Sequence, residues 1–115
     1  MSDCIFCKII NRDIPADILY ENEKVLAFKD INPQAPLHLL IIPKKHIASA
    51  TQLDESDYSE IIPEIFKAIN HLAKEYKVSD KGFRLVNNCG RDGGQTVDHL
   101  HFHLLADRQL QWPPG

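Results

Sequence analysis

Between Glu55 and Tyr76 apolar side chains recur at spacings of three and four, at Ile62, Ile65, Phe66, Ile69, Leu72, Ala73 and Tyr76. That spacing gathers them on one stripe of an amphipathic helix, and it places Pro63 in or near the first turn, where a missing N–H is tolerated. Elsewhere the apolar runs are short. Ile18 to Glu21 and Lys24 to Lys29 flank a polar turn and predict a hairpin. Leu37 to Ile42 is a continuously apolar third strand stopped by Pro43, and Phe83 to Asn88 and Val97 to Ala106 read as two further strands joined by the loop Cys89 to Gln95. Cys4 to Asn11 predicts a short helix with Ile5, Ile9 and Phe6 inward, ended by Asn11-Arg12-Asp13 ahead of Pro15. Five strands and one main helix make an α+β domain whose sheet is covered by helix on one face and partly open on the other.

Composition narrows the class. The 115 residues suit one domain, 1–115, and 43% apolar with 25% charged residues is ordinary for a globular chain. A net charge of −3 with interspersed signs offers no basic footprint for a nucleic-acid polymer. The start lacks a basic and then apolar leader, and no stretch is long enough to span a bilayer, so a cytoplasmic protein without a membrane partner is expected. Three cysteines are an odd number, which argues for metal binding or buried thiols rather than a disulfide framework. Cys4 and Cys7 form a C-x-x-C pair with no histidine in the following twenty or so residues, so any zinc site has to be assembled by the fold.

The chemistry concentrates in His99-Leu100-His101-Phe102-His103-Leu104-Leu105. Alternation with period two puts the three imidazoles on one face of a strand, ~7 Å apart, and turns Leu100, Phe102 and Leu104 toward the helix. Three histidines in register are a reactive surface rather than a polar strand face, because imidazole changes protonation near neutral pH. Just upstream, Asn87 to Thr96 carries glycines, amides and a hydroxyl, the materials of an anion cradle. A Gly-Gly pair alone would mean only a turn; its position directly before the histidines gives it weight.

Gly93-Gly94-Gln95-x-Val97-x-His99-x-His101-x-His103-Leu104-Leu105 resembles the signature of the histidine triad family. The resemblance spans nearly the whole chain, including Ala27 to Ile31, Pro33 to Pro36, His38, Ile42 to His46 and the ending Trp112-Pro113-Pro114-Gly115, and is similar to the histidine triad nucleotide-binding (Hint) branch. It implies a five-stranded antiparallel sheet with a main and a short N-terminal helix, a homodimer in which two sheets join, and purine nucleoside phosphoramidase activity. His101 would be the nucleophile on the α-phosphorus. A neutral imidazole is a good nucleophile at pH 7, and the N–P bond it forms becomes labile on protonation. His103 and His38 would lie near the phosphate, stabilising the transferring group and assisting proton transfer to the leaving amine. Asn88, Thr96 and the backbone from Gly94 through Gln95 to Val97 would supply donors to phosphate oxygens. Ile5, Phe6, Phe28 and Ile31 would hold the base, and Asp30 the ribose hydroxyls.

The same resemblance makes Cys4, Cys7, His46 and His99 a Cys₂His₂ set for a structural Zn²⁺ that the chemistry does not require. Two departures bear on substrate preference: Asp98 stands where many Hint proteins have tyrosine, and Ala106-Asp107 replaces a Gly-Gly. Two other classes compete with the phosphoramidase: a metallohydrolase whose triad ligates a catalytic ion, and a nucleotide-binding regulator with incidental turnover. A further enzymatic alternative is nucleotidyl transfer to an acceptor other than water.

Overall fold

Val25, Ala27, Leu37, Leu39 and Ile41 bury against one cluster of the core, whereas Leu26, Phe28, Leu40 and Ile42 bury against another. Two neighbouring strands with alternating residues on opposite faces produce this division, and a strand buried on both faces reads as a continuous apolar run. The computed structural model describes residues 3–115. Its sheet is fully antiparallel in the order β1-β2-β3-β5-β4, with β1 at Ile18–Glu21, β2 at Val25–Lys29, β3 at Leu37–Pro43, β4 at Arg84–Val86 and β5 at Phe102–Ala106. Asn22 closes the β1/β2 hairpin: its Oδ1 accepts the N–H groups of Lys24 (2.8 Å) and Val25 (2.9 Å).

The long helical stripe is real but interrupted. The structure has α2 at Glu55–Glu60 and α3 at Ile62–Glu75 in place of one helix over 55–76. Pro63 has no N–H for the Ser59 carbonyl and its ring crowds that carbonyl, so a single helix cannot run through this point. Asp54 and Asp57 start α2 with a reciprocal capping box, and Lys45 pairs with the buried Asp57 carboxylate at 2.7 Å. From α3, Ile65, Ile69 and Leu72 are fully buried against one sheet face, each contributing about 1.5–3 kcal/mol.

The opposite face is less open than the sequence suggests. The short helix α1, Ile5–Ile10, lays Phe6 and Ile9 over Leu26, Phe28, Leu40 and Ile42. Its inward side is Phe6, Cys7 and Ile9, while Ile5, expected inward, is 46% exposed. The last two strands are also shorter than their apolar runs, because the chain between Asn87 and His101 forms the short helix α4 at Gly90–Gly93 and an irregular segment before rejoining the sheet at Phe102. No helix among the described residues is long and apolar enough to cross a membrane.

Candidate active site

The sheet register builds the site. Leu40 faces His103 across the β3/β5 ladder and His38 faces Leu105, so His38 and His103 are diagonal neighbours on the face that α1 covers. Leu100 and Leu104 enter the opposite cluster beside α3, and Phe102 packs edge-on to Phe66 of that helix. The period-two alternation therefore holds from 99 to 104 although only 102 onward is strand. His99 and His101 are buried, at 0% and 3% exposure.

Each ring's partners fix its tautomer. The Gln34 N–H donates to His38 Nδ1 at 3.0 Å, so in neutral His38 the proton sits on Nε2. That Nε2 lies 2.8 Å from His103 Nδ1 and 3.4 Å from an Asp30 carboxylate oxygen. Donation to His103 Nδ1 leaves His103 with its own proton on Nε2. His101 Nδ1 lies 2.7 Å from the His99 carbonyl, which can only accept, so Nδ1 carries hydrogen and Nε2 holds the free lone pair. Burial keeps His38 and His103 neutral: it is the main cause that lowers His103 to about 4, with the nearby His101 and His38 adding to it, and it lowers His38 against the opposing pull of Asp30.

A cleft of about 270 Å³ opens beside these rings, lined by His101 and His103 and by Phe6, Phe28, Leu40, Val97 and Asp30 among others. Of the residues expected to bind a nucleotide, Ile5, Phe6, Phe28, Asp30, Ile31, Thr96 and Val97 line it. Asn88, Gly94 and Gln95 do not. The Gly94 and Gln95 N–H groups close the α4 turn onto Arg91 and Gly90 carbonyls, and the Gln95 side chain bonds the Ala48 and Val97 carbonyls and the Gly90 N–H. Gln95 thus braces the loop, and among the described residues the N–H groups of Thr96 and Val97 have no partner. A larger depression of about 670 Å³ adjoins the cleft through Ile5, Thr96 and Val97 and includes Asp98 and His46, but neither His101 nor His103 reaches it.

Behind the cleft, Cys4, Cys7, His46 and His99 converge with one donor atom each, all within 4.8 Å of one another. His99 Nδ1 lies 3.3 Å from Cys4 Sγ, 3.6 Å from Cys7 Sγ and 3.1 Å from His46 Nδ1. A tetrahedron with Zn–S of ~2.3 Å and Zn–N of ~2.0 Å has edges of roughly 3.3–3.8 Å, so the donor set suits zinc. His99 is prepared for this, because its Nε2–H donates to the Pro43 carbonyl at 2.9 Å and leaves Nδ1 bare. Burial, followed by the neighbouring Cys4, pushes the Cys7 thiol up to about 11. Asp30, His38 and His103 also lie together. That group does not suit a cation, since His38 accepts at Nδ1 and would have to lose its second proton to ligate through Nε2. His99, His101 and His103 do not form a ligand cluster among the described residues.

The HIT domain profile matches residues 11–110. The chain belongs to the histidine triad (HIT) family. It is 46% identical over 113 residues to an uncharacterized HIT-like protein of Synechococcus elongatus, covering 98% of this chain and 97% of that one. The crystal structure of a HIT family hydrolase from Legionella pneumophila superposes with a TM-score of 0.95 at 50% identity, covering 98% of this chain and 100% of that one. A histidine triad nucleotide-binding protein from Candida albicans gives a TM-score of 0.80 at 37% identity, over 96% and 83% of the two chains. Gln34, Pro43 and Asn87 were missed as site residues by sequence reasoning. The first two act through backbone atoms that carry no side-chain signal, and Asn87 stands out in the sequence only as part of the anion-cradle stretch, whereas its amide reaches the His101 carbonyl.

Proposed function

We propose that this HIT protein is a Hint-type hydrolase of purine nucleoside 5′-phosphoramidates, working through a nucleotidyl-histidine intermediate. The observation that carries the reading is the engaged Nδ1–H of His101, which leaves Nε2 as the ring's only nucleophilic nitrogen. In the first step the Nε2 lone pair attacks the α-phosphorus, the N–P bond of the enzyme forms, and the P–N bond of the substrate breaks with the leaving amine taking up a proton. Water then attacks the same phosphorus, the His101–phosphorus bond breaks, and the nucleoside monophosphate departs. His103, with its proton on Nε2 and its ring 5.1 Å from that of His101, stabilises the phosphoryl oxygens and assists the leaving amine; such help accounts for ~10²- to 10⁴-fold in rate. His38 holds His103 in the required tautomer. Thr96 and Val97 supply backbone donors, Phe6, Phe28, Ile5 and Ile31 accommodate the base, and Asp30 the ribose.

Cys4, Cys7, His46 and His99 would hold a structural Zn²⁺, which when bound ties α1 to the segment bearing the nucleophile and supplies no chemistry to the reaction. The chain forms a homodimer through joined sheets, a reading supported by β4 as a three-residue edge strand and by Phe66, 43% exposed where it packs on Phe102 of the neighbouring strand β5. The test is trapping: after brief incubation with an adenosine phosphoramidate, intact mass should show a nucleotidyl adduct on the parent protein and none on His101→Ala. An adduct retained by the variant moves the nucleophile elsewhere. AMP binding without adduct or turnover in the parent makes the protein a nucleotide-binding regulator.

A further inference from the structure

The nucleophile lies just outside the sheet. The ladders of β5 end at Ile41 opposite Phe102 and at Val86 opposite His103, so residues 99 to 101 have no strand neighbours to fix them. Four bonds outside the ladder do it instead. His99 Nε2–H reaches the Pro43 carbonyl, the Leu100 N–H reaches the Ile47 carbonyl at 2.6 Å, His101 Nδ1–H reaches the His99 carbonyl, and Asn87 Nδ2 donates to the His101 carbonyl at 2.9 Å. The acceptor is a carbonyl, so the amide orientation of Asn87 is not ambiguous. Among these clasps Asn87 alone belongs neither to the triad nor to the main chain. It sits one residue past the end of β4 and ties that strand to the peptide of the attacking residue.

We infer that Asn87 is a positioning residue for His101, setting the line of attack rather than binding substrate; the inference rests on His101 being the nucleophile. Asn87 is not on the cleft wall, so losing its amide leaves nucleotide contacts in place. What it changes is the freedom of the His101 backbone, and a displacement of ~1 Å at a reacting atom costs about 10²-fold in rate. A residue that merely stabilised the loop would instead lower affinity and rate together.

The experiment compares the full-length parent with Asn87→Asp and Asn87→Ala. Asn87→Asp keeps the shape, removes the donor and sets an acceptor against the carbonyl, while Asn87→Ala removes the group without adding charge. Single-turnover formation of the nucleotidyl adduct is measured beside AMP affinity by calorimetry, with melting temperatures to confirm folding. The expected result is an adduct rate at least about tenfold slower in both variants with affinity changed far less. Rates close to the parent's, or rate and affinity falling by similar factors, would overturn the assignment. If the parent forms no adduct, the nucleophile reading itself has failed. The clasp is then judged by histidine ¹⁵N spectra, in which His101 should be a single Nδ1–H tautomer in the parent and a mixture in Asn87→Ala; an unchanged spectrum would refute it.

Discussion

His103 should make the fold acid-sensitive in a way that one substitution can isolate. Burial holds its folded-state pKa at about 4 against an ordinary 6.5, so between those values the unfolded chain binds a proton that the native one refuses. Stability is therefore full above about pH 6.5 and falls as pH drops toward 4. At pH 5 an unhindered ring is about 97% protonated and the native ring about 10%, a slope of about 1.2 kcal/mol per pH unit. Integrated from pH 7 to pH 5, the loss is about 2 kcal/mol, and His38, lowered for the same reason, adds to it in the same direction. Urea unfolding at both pH values would measure it in the parent and in His103→Gln, which keeps an amide near His38 but cannot titrate. Titrating groups out of contact with His103, including the Cys₂His₂ donors, are common to both proteins and cancel in the difference, while His38, bonded to His103, shifts with it. The parent should lose about 2 kcal/mol more than the variant; an equal loss would show that His103 accepts its proton freely in the native state and would remove the basis for calling it neutral.

Two further outcomes follow from other parts of the molecule. Treatment with a chelator should lower the melting temperature, by the equivalent of about 4 kcal/mol if free zinc had stood near 1,000 times its Kd, while phosphoramidate turnover at low temperature persists in the folded protein; turnover lost with the fold intact would favour a histidine-ligated metallohydrolase. Lys77 closes α3 at φ 60 with Val78 N–H bonded to the Ala73 carbonyl at 2.9 Å, so Lys77→Gly should raise stability by about 0.5–1 kcal/mol in thermal melts, and a lower melting temperature would contradict the strain argument.

The apolar pattern carried most of the fold. The unbroken run in β3 corresponds to a strand buried on both faces, and Leu100, Phe102 and Leu104 meet α3 as their alternation requires. What the pattern did not reveal were interruptions caused by single residues and by competition. Pro63 splits the helix although the stripe continues through it, since periodicity records which face is apolar and not whether each carbonyl has a donor. The run from Val97 to His101 alternates like a strand but has no ladder, because its polar groups are engaged by Pro43, Ile47 and Asn87 from three separate parts of the chain.

The same limit explains which parts of the site were legible. Alternation and the family resemblance together bring His101 and His103 to one cleft, with His38 against His103, and gather Cys4, Cys7, His46 and His99 behind it. They do not say which nitrogen of each ring is free, and that choice separates a nucleophile from a ligand. His99 gives its Nε2 proton to a carbonyl and turns a bare Nδ1 to the thiols, whereas His101 gives its Nδ1 proton to a carbonyl and keeps a bare Nε2. Two histidines only two residues apart thus suit the different tasks proposed for them because two backbone carbonyls select opposite tautomers. Any substitution that moves the Pro43 or His99 carbonyl should then blur the division between metal ligand and attacking group even though all six histidines remain.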